Sequence, residues 1–291
     1  MSSAAEAIQT PETRSLSWGL WLRQIRAIVG LELQKNFLSR RSILIYLIAL
    51  LPLFPLIILA IVTPGEGEDF NFNNLSKVYA ILFYSLILRT VVFFGCAWIF
   101  MNLFRGELID RSLHYYFLSA VRREVLVAGK YLSGLITSIV LFTATTVLSM
   151  LLLYFPHFSS QSARYFSEGR GLGQLLAYAG ITMLACVGYG AFFLVVGLFI
   201  RNPIIPALLL YGWEWLNFLL PPVLKKISVI HYLNSMMPVP LSSAISEGPL
   251  AVVAEPTPAW ISIPSMLLVT LVVLIMAGYR TRHMEIRYGS D

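Results

Sequence analysis

Six apolar runs limit what this chain can fold into: Ser42–Thr63, Tyr79–Phe104, Tyr131–Phe155, Leu175–Ile200, Ile204–Leu220 and Trp260–Tyr279. A helix rises about 1.5 Å per residue and a bilayer core is about 30 Å thick, so runs of this length read as membrane-spanning helices. The fifth is the shortest and is interrupted by Glu214. Composition agrees. Only 12% of the 291 residues are charged and 57% are hydrophobic, whereas soluble domains carry about 25% charged residues. The expectation is an all-α integral membrane protein with six transmembrane helices. Pro52 and Pro55 are expected to kink the first, and the acidic turn Pro64–Asp69 ends it.

The charges between the runs set a topology. With the N-terminus in the cytoplasm, inside segments hold 15 of the Lys and Arg residues, outside segments hold five, and Arg89 lies within a span. This asymmetry is the positive-inside pattern and places both termini in the cytoplasm. The net charge of +6 is therefore read as topology rather than as nucleic-acid binding. Residues 1–41 form a cytoplasmic N-terminus. Within it, Trp18, Trp21, Leu22, Ile25, Ile28, Val29 and Leu33 recur at helical spacing, with Arg23, Arg26 and Lys35 largely off that face. Such a basic amphipathic helix suits the membrane interface, and a juxtamembrane helix packed on protein is the competing reading. Residues 221–259, broken by seven prolines, read as re-entrant-like pieces on the outer side or as an ordered outer loop. Residues 280–291 form a cytoplasmic tail.

Two charges fall inside spans, Arg89 and Glu214. Each costs about 2.5–3.5 kcal/mol to insert alone. Their depths differ by about 6 Å at helical rise, so they are expected to pair across the second and fifth helices or to line one polar cavity; snorkelling separately to the outer interface is the alternative. Four glycines of the fourth run, Gly180, Gly188, Gly190 and Gly197, suit close helix contacts. Cys96 and Cys186 read as small buried hydrophobes. No metal site is argued from the scattered histidines, no nucleophile has a visible base, and no phosphate-binding G-x-x-x-x-G-K-[ST] occurs, because Gly129-Lys130 is followed by Tyr131. The chain is not expected to be an enzyme.

One stretch remains, the hairpin 105–130 between the second and third runs. Charges of both signs, Arg105, Glu107, Asp110, Arg111, Arg122, Arg123, Glu124 and Lys130, surround the apolar centre Tyr115, Tyr116, Phe117 and Leu118. A solvated loop has no need of that centre, so the hairpin reads as a docking element.

The run GELIDRSLHYYFLSAVRREVLVAGKYLSGL resembles the first cytoplasmic loop of ABC-2 type transporter permeases. Glu107 stands at the family's acidic position and Asp110–Leu113 at its D-G-T-L-like turn. Ala120–Arg123 stands at its P-V-S-R-like turn, and Gly129-Lys130 at its G-K. Arg111 and Ala120 depart from the family's usual Gly and Pro. The N-terminal helix, the six spans, the Arg201-Asn202-Pro203 turn and the broken outer segment extend the likeness. The resemblance implies an ABC-2, type V exporter-like architecture in the bacterial inner membrane. It implies a dimer with a second permease subunit, and a separate ABC ATPase that supplies the ATP and Mg chemistry. Tyr115–Leu118 and the flanking Glu107, Asp110, Arg111, Arg122, Arg123, Glu124 and Lys130 would then form a coupling helix, with Arg201 as a smaller contact. A lipid, drug or other amphipathic molecule would be the exported substrate. A non-transporting membrane scaffold and an ion-gradient-driven transporter stand as alternatives.

Overall fold

The structure is a computed structural model. It describes residues 18–40, 42–62, 72–109, 122–154, 156, 160–167, 170–200, 202–216, 221–225, 228–240 and 257–282. Every described element is helical. Five helical stretches are long and apolar enough to cross a membrane: Ser42–Val62, Asn74–Gly106, Arg123–Tyr154, Arg170–Phe199 and Ala259–Thr281. The chain is thus an all-α protein with the character of an integral membrane protein. The other run expected to span, Ile204–Leu220, contains α9 (Ile204–Trp215) of 12 residues. At about 18 Å it falls short of the hydrocarbon core.

The helices begin and end where burial and backbone chemistry allow. Helix α1 (Trp18–Leu38) leads into a first span split into α2 (Ser42–Leu50) and α3 (Leu53–Val62). The split lies at Leu51-Pro52, because Pro52 has no N–H to continue the ladder. Pro55 does not kink it. It lies in the first turn of α3, where no intrahelical partner is needed.

The second span starts earlier than its apolar run, with α4 (Phe72–Leu82), passes through a ten-residue π-helix (Phe83–Val92) and continues as α5 (Phe93–Ile109). Its polar start is held by tertiary bonds. Ser76 is buried, with its hydroxyl 3.2 Å from Tyr154 Oη and 2.9 Å from Tyr165 Oη. The third span, α6 (Arg123–Tyr154), also starts early, so Arg123–Lys130 are its first two turns. Then follow α7 (Ser160–Ser167), α8 (Arg170–Phe199), α9, α10 (Pro222–Lys225), α11 (Val229–Ser235) and α12 (Ala259–Arg282).

The core is built on α5, α6 and α8. Phe100 fills a notch between Gly134 of α6 and Gly190 of α8, and a Cβ on either glycine would meet its ring at 2.5–2.9 Å. Gly197 of α8 lies against the backbone of Met101, where a Cβ would stand 2.6 Å from Cα. Small residues permit such approach in lipid. Of the four glycines expected to serve this purpose, Gly180 faces open space. At the other end of the bundle, hydroxyls satisfy one another. Tyr79 Oη donates to Thr146 O at 2.8 Å, and the Thr146 and Thr182 hydroxyls meet at 3.0 Å.

Candidate functional site: the hairpin base and the intramembrane charges

The hairpin's centre lies outside the described residues, as do Asp110, Arg111, Tyr115, Tyr116, Phe117, Leu118 and Arg201; of Glu107 only the helical backbone is described. Its base is described, and it is a junction of four helices.

At the centre is Lys130, which is fully buried. Its Nζ donates to Glu32 Oε1 at 2.8 Å and to the main-chain oxygen of Leu103 at 2.8 Å, and lies 5.3 Å from the centre of the Phe104 ring. One ammonium therefore ties α1 to α6, and ties α6 to the part of α5 that leads into the hairpin. A buried ammonium is tolerable only when paired and hydrogen-bonded, and here both conditions are met. Lys35 approaches the same Glu32 oxygen from the exposed side, at 3.4 Å.

Helix α1 follows α6 for several turns. Trp21 stacks with the Arg122 guanidinium at 4.9 Å, Ile28 covers Gly129, Glu32 holds Lys130, and Asn36 donates to Ser133 and Thr137 at 3.3 and 3.4 Å. Partners advance together along both chains, so the two helices run side by side in the same direction. Of the two readings of this segment, packing on protein is the one these contacts support. Leu20, Leu22, Leu31 and Leu38 remain exposed on its other faces. With 32 residues, about 48 Å, α6 is longer than a hydrocarbon core of about 30 Å.

The last helix joins through Arg123, whose Nη1 donates to Thr281 O at 3.1 Å. That carbonyl is in the final turn of α12, where oxygens lack intrahelical partners and a cation is favoured. Of the residues expected to dock a partner, Arg122 is exposed, Arg123 and Glu124 are half-buried, and Lys130 faces wholly inward.

Arg89 and Glu214 are neighbours, but not as a side-chain ion pair. Arg89 Nη2 donates to the main-chain oxygen of Glu214 at 3.3 Å, and its guanidinium lies 4.5 Å from the Tyr84 ring centre. The buried Glu214 carboxylate points elsewhere. It accepts from the Ser228 hydroxyl, from Val229 N at 3.0 Å and from Ile230 N at 3.1 Å. These are the first amides of α11, which need an external acceptor. The carboxylate, from another helix, does the work of an N-cap. The π-helix matters here too: Tyr84 and Arg89 are five residues apart, the separation its winding stacks.

Glu32 is the member of this junction that the pattern concealed. It lies in register with Trp21, Ile25 and Ile28, so an acid on that apolar stripe was the available signal of a buried partner. Among the described residues no group of three or more His, Cys, Asp or Glu could hold a metal ion. Comparison with models of known families, with curated proteins and with solved structures found no match to any of them.

Proposed function

We propose that this chain is the membrane-spanning permease subunit of an ABC-2 type exporter, acting as a dimer and driven by a separate ATPase. The observation that carries this reading is the junction at Lys130. Both limbs of the hairpin, the N-terminal helix and the final helix meet there. A force applied to residues 110–121 would therefore reach four helices at once. Coupled motion of that kind suits a rigid-body change between inward- and outward-facing states. The docking surface would be Tyr115–Leu118 with Glu107, Asp110, Arg111, Arg122, Arg123 and Glu124, and Arg201 would be a smaller second contact with the ATPase. Lys130 would act behind this surface as the residue that holds its two limbs together.

In this reading α9 and the segment after it complete a sixth, broken crossing. Both termini lie in the cytoplasm of a bacterial inner membrane, and the positive-inside distribution of Lys and Arg supports that orientation. The lack of a G-x-x-x-x-G-K-[ST] sequence supports the assignment of ATP hydrolysis to another chain. The test is co-purification with a co-expressed ABC ATPase of the same source, and ATP-dependent transport by the pair in proteoliposomes. Replacing Tyr115–Leu118 by Ser should release the ATPase and abolish transport. Unchanged assembly would overturn the docking assignment.

A further inference from the structure

A cleft of about 400 Å³ lies between the first span, the second span and α9. Leu44, Ile48 and Leu51 form one wall, Val91, Phe94 and Trp98 a second, and Ile204, Ala207 and Leu208 a third. Apart from Thr90, whose hydroxyl is already bonded to Ser85 O, the lining is apolar. Leu44, Leu51, Ile204 and Leu208 are each more than a third exposed, so the cleft faces the side of the bundle. Along the second span it runs from Met101 to Thr90, about 16 Å at helical rise.

A cation, outside the lining itself, adjoins Thr90. Arg89 precedes Thr90 in the chain and bonds to α9, the helix that forms the third wall. The Phe94 and Tyr211 rings meet at 4.8 Å between the two helices, separating the apolar part from the charged part. A guanidinium carries five N–H donors. Here one nitrogen reaches a main-chain oxygen at 3.3 Å, and Nε is buried without an acceptor. Glu214 does not neutralise it by direct contact, because the carboxylate is committed to α11. A cation in a bilayer with unspent donors calls for an anionic partner.

We infer that this cleft and Arg89 together bind an anionic amphiphile, with its hydrocarbon chain along Leu44–Leu51 and α9 and its phosphate or carboxylate headgroup on the Arg89 guanidinium. Apolar cleft and cation are complementary to the two ends of one molecule. Binding requires only that the chain sit in a bilayer. Whether the bound molecule is also cargo rests on the exporter reading.

The test uses the purified full-length chain in nanodiscs containing equal phosphatidylglycerol and phosphatidylcholine, with native mass spectrometry counting the lipids retained. The native chain should retain phosphatidylglycerol preferentially. Arg89→Gln should lower that preference by about tenfold, the scale of one charge-assisted hydrogen bond, and Arg89→Lys should keep most of it. Ala207→Trp, which fills the cleft, should reduce retention while Arg89 is untouched. Added oleate distinguishes the sources: displacement marks an exchanging amphiphile, and retention marks a resident lipid. An unchanged lipid ratio in a folded Arg89→Gln chain overturns the inference. So does Ala207→Trp turning a dimer into a monomer with lipid selectivity intact, which would make the cleft a subunit contact. No ATPase takes part, so failure here and failure of the exporter reading are separable.

Discussion

Two basic side chains of this bundle, Lys130 and Arg89, have surroundings that differ in kind. Lys130 is enclosed with its counter-ion: a carboxylate oxygen and a carbonyl, both at 2.8 Å, accept from its Nζ, the Phe104 ring centre lies 5.3 Å away, and no part of it is exposed. Arg89 is half-buried and holds one carbonyl at 3.3 Å, while the nearest acid spends its oxygens on a helix terminus. A buried charge in contact with its counter-ion is a fastening, because its attraction is spent inside the fold. An unsaturated one in lipid is an open valence. The same physical cost of taking a charge out of water is met inside the fold in the first case and is left for another molecule in the second.

This contrast can be broken at several points. The largest effect is expected at the fastening. Lys130→Ala leaves Glu32 buried and should lower stability by about 3–5 kcal/mol, read as a fall in the thermal midpoint followed by dye labelling of Cys96 and Cys186. Glu32→Met with Lys130→Met removes both charges and should recover most of that loss. A double variant as unstable as the single one would mean that the pair is not what holds α1.

Next comes the helix terminus. Glu214→Ala uncaps α11 and should cost about 1–3 kcal/mol, the scale of leaving buried donors unsatisfied. The charge exchange Arg89→Glu with Glu214→Arg should rescue nothing, since an arginine cannot accept from Val229 N and Ile230 N. Recovery by the exchange would restore the direct ion pair expected from depth alone.

A smaller effect is expected where α1 covers α6. Gly129→Ala would put its Cβ 2.9 Å from the Ile28 side chain, a clash worth about 1 kcal/mol or somewhat more. Ile28→Ala in the same chain should relieve part of it, and a double-mutant cycle measures the coupling. The smallest change in stability belongs to the open valence. Arg89→Gln should shift the thermal midpoint little, by less than about 1 kcal/mol. A loss as large as that of Lys130→Ala would make Arg89 a second fastening.

The sequence made the apolar skeleton legible, because lipid requires long apolar helices and tolerates few charges. It also showed that Arg89 and Glu214 lie at neighbouring depths. What it hid depends on tertiary partners. Helix α6 begins at Arg123 instead of Tyr131 because α1 buries its first turns, and Val125 and Leu126 lie under Ile28. The second span begins at Phe72, among polar residues, where Ser76 finds two tyrosines. The π-winding of Phe83–Val92 leaves no mark in the residue pattern; it buries Ile87, Leu88, Val91 and Val92 together. Glu214 interrupts its apolar run because it serves α11, fifteen residues away in the chain, which depth alone could not reveal. The docking residues Tyr115–Leu118 lie outside the described part and rest on the resemblance.

The contact between Gly197 and Met101 has a mechanical consequence. Two helices that touch backbone to backbone mesh like gear teeth, with no cushion of side chains to absorb slippage. α5 and α8 therefore form a keel, and the hairpin hangs from one of its ends. A force entering at the hairpin would carry α5 and α8 together, with no slippage at this contact. A bulky residue at Gly197 would jam the mesh without touching a charge, a ligand or a partner.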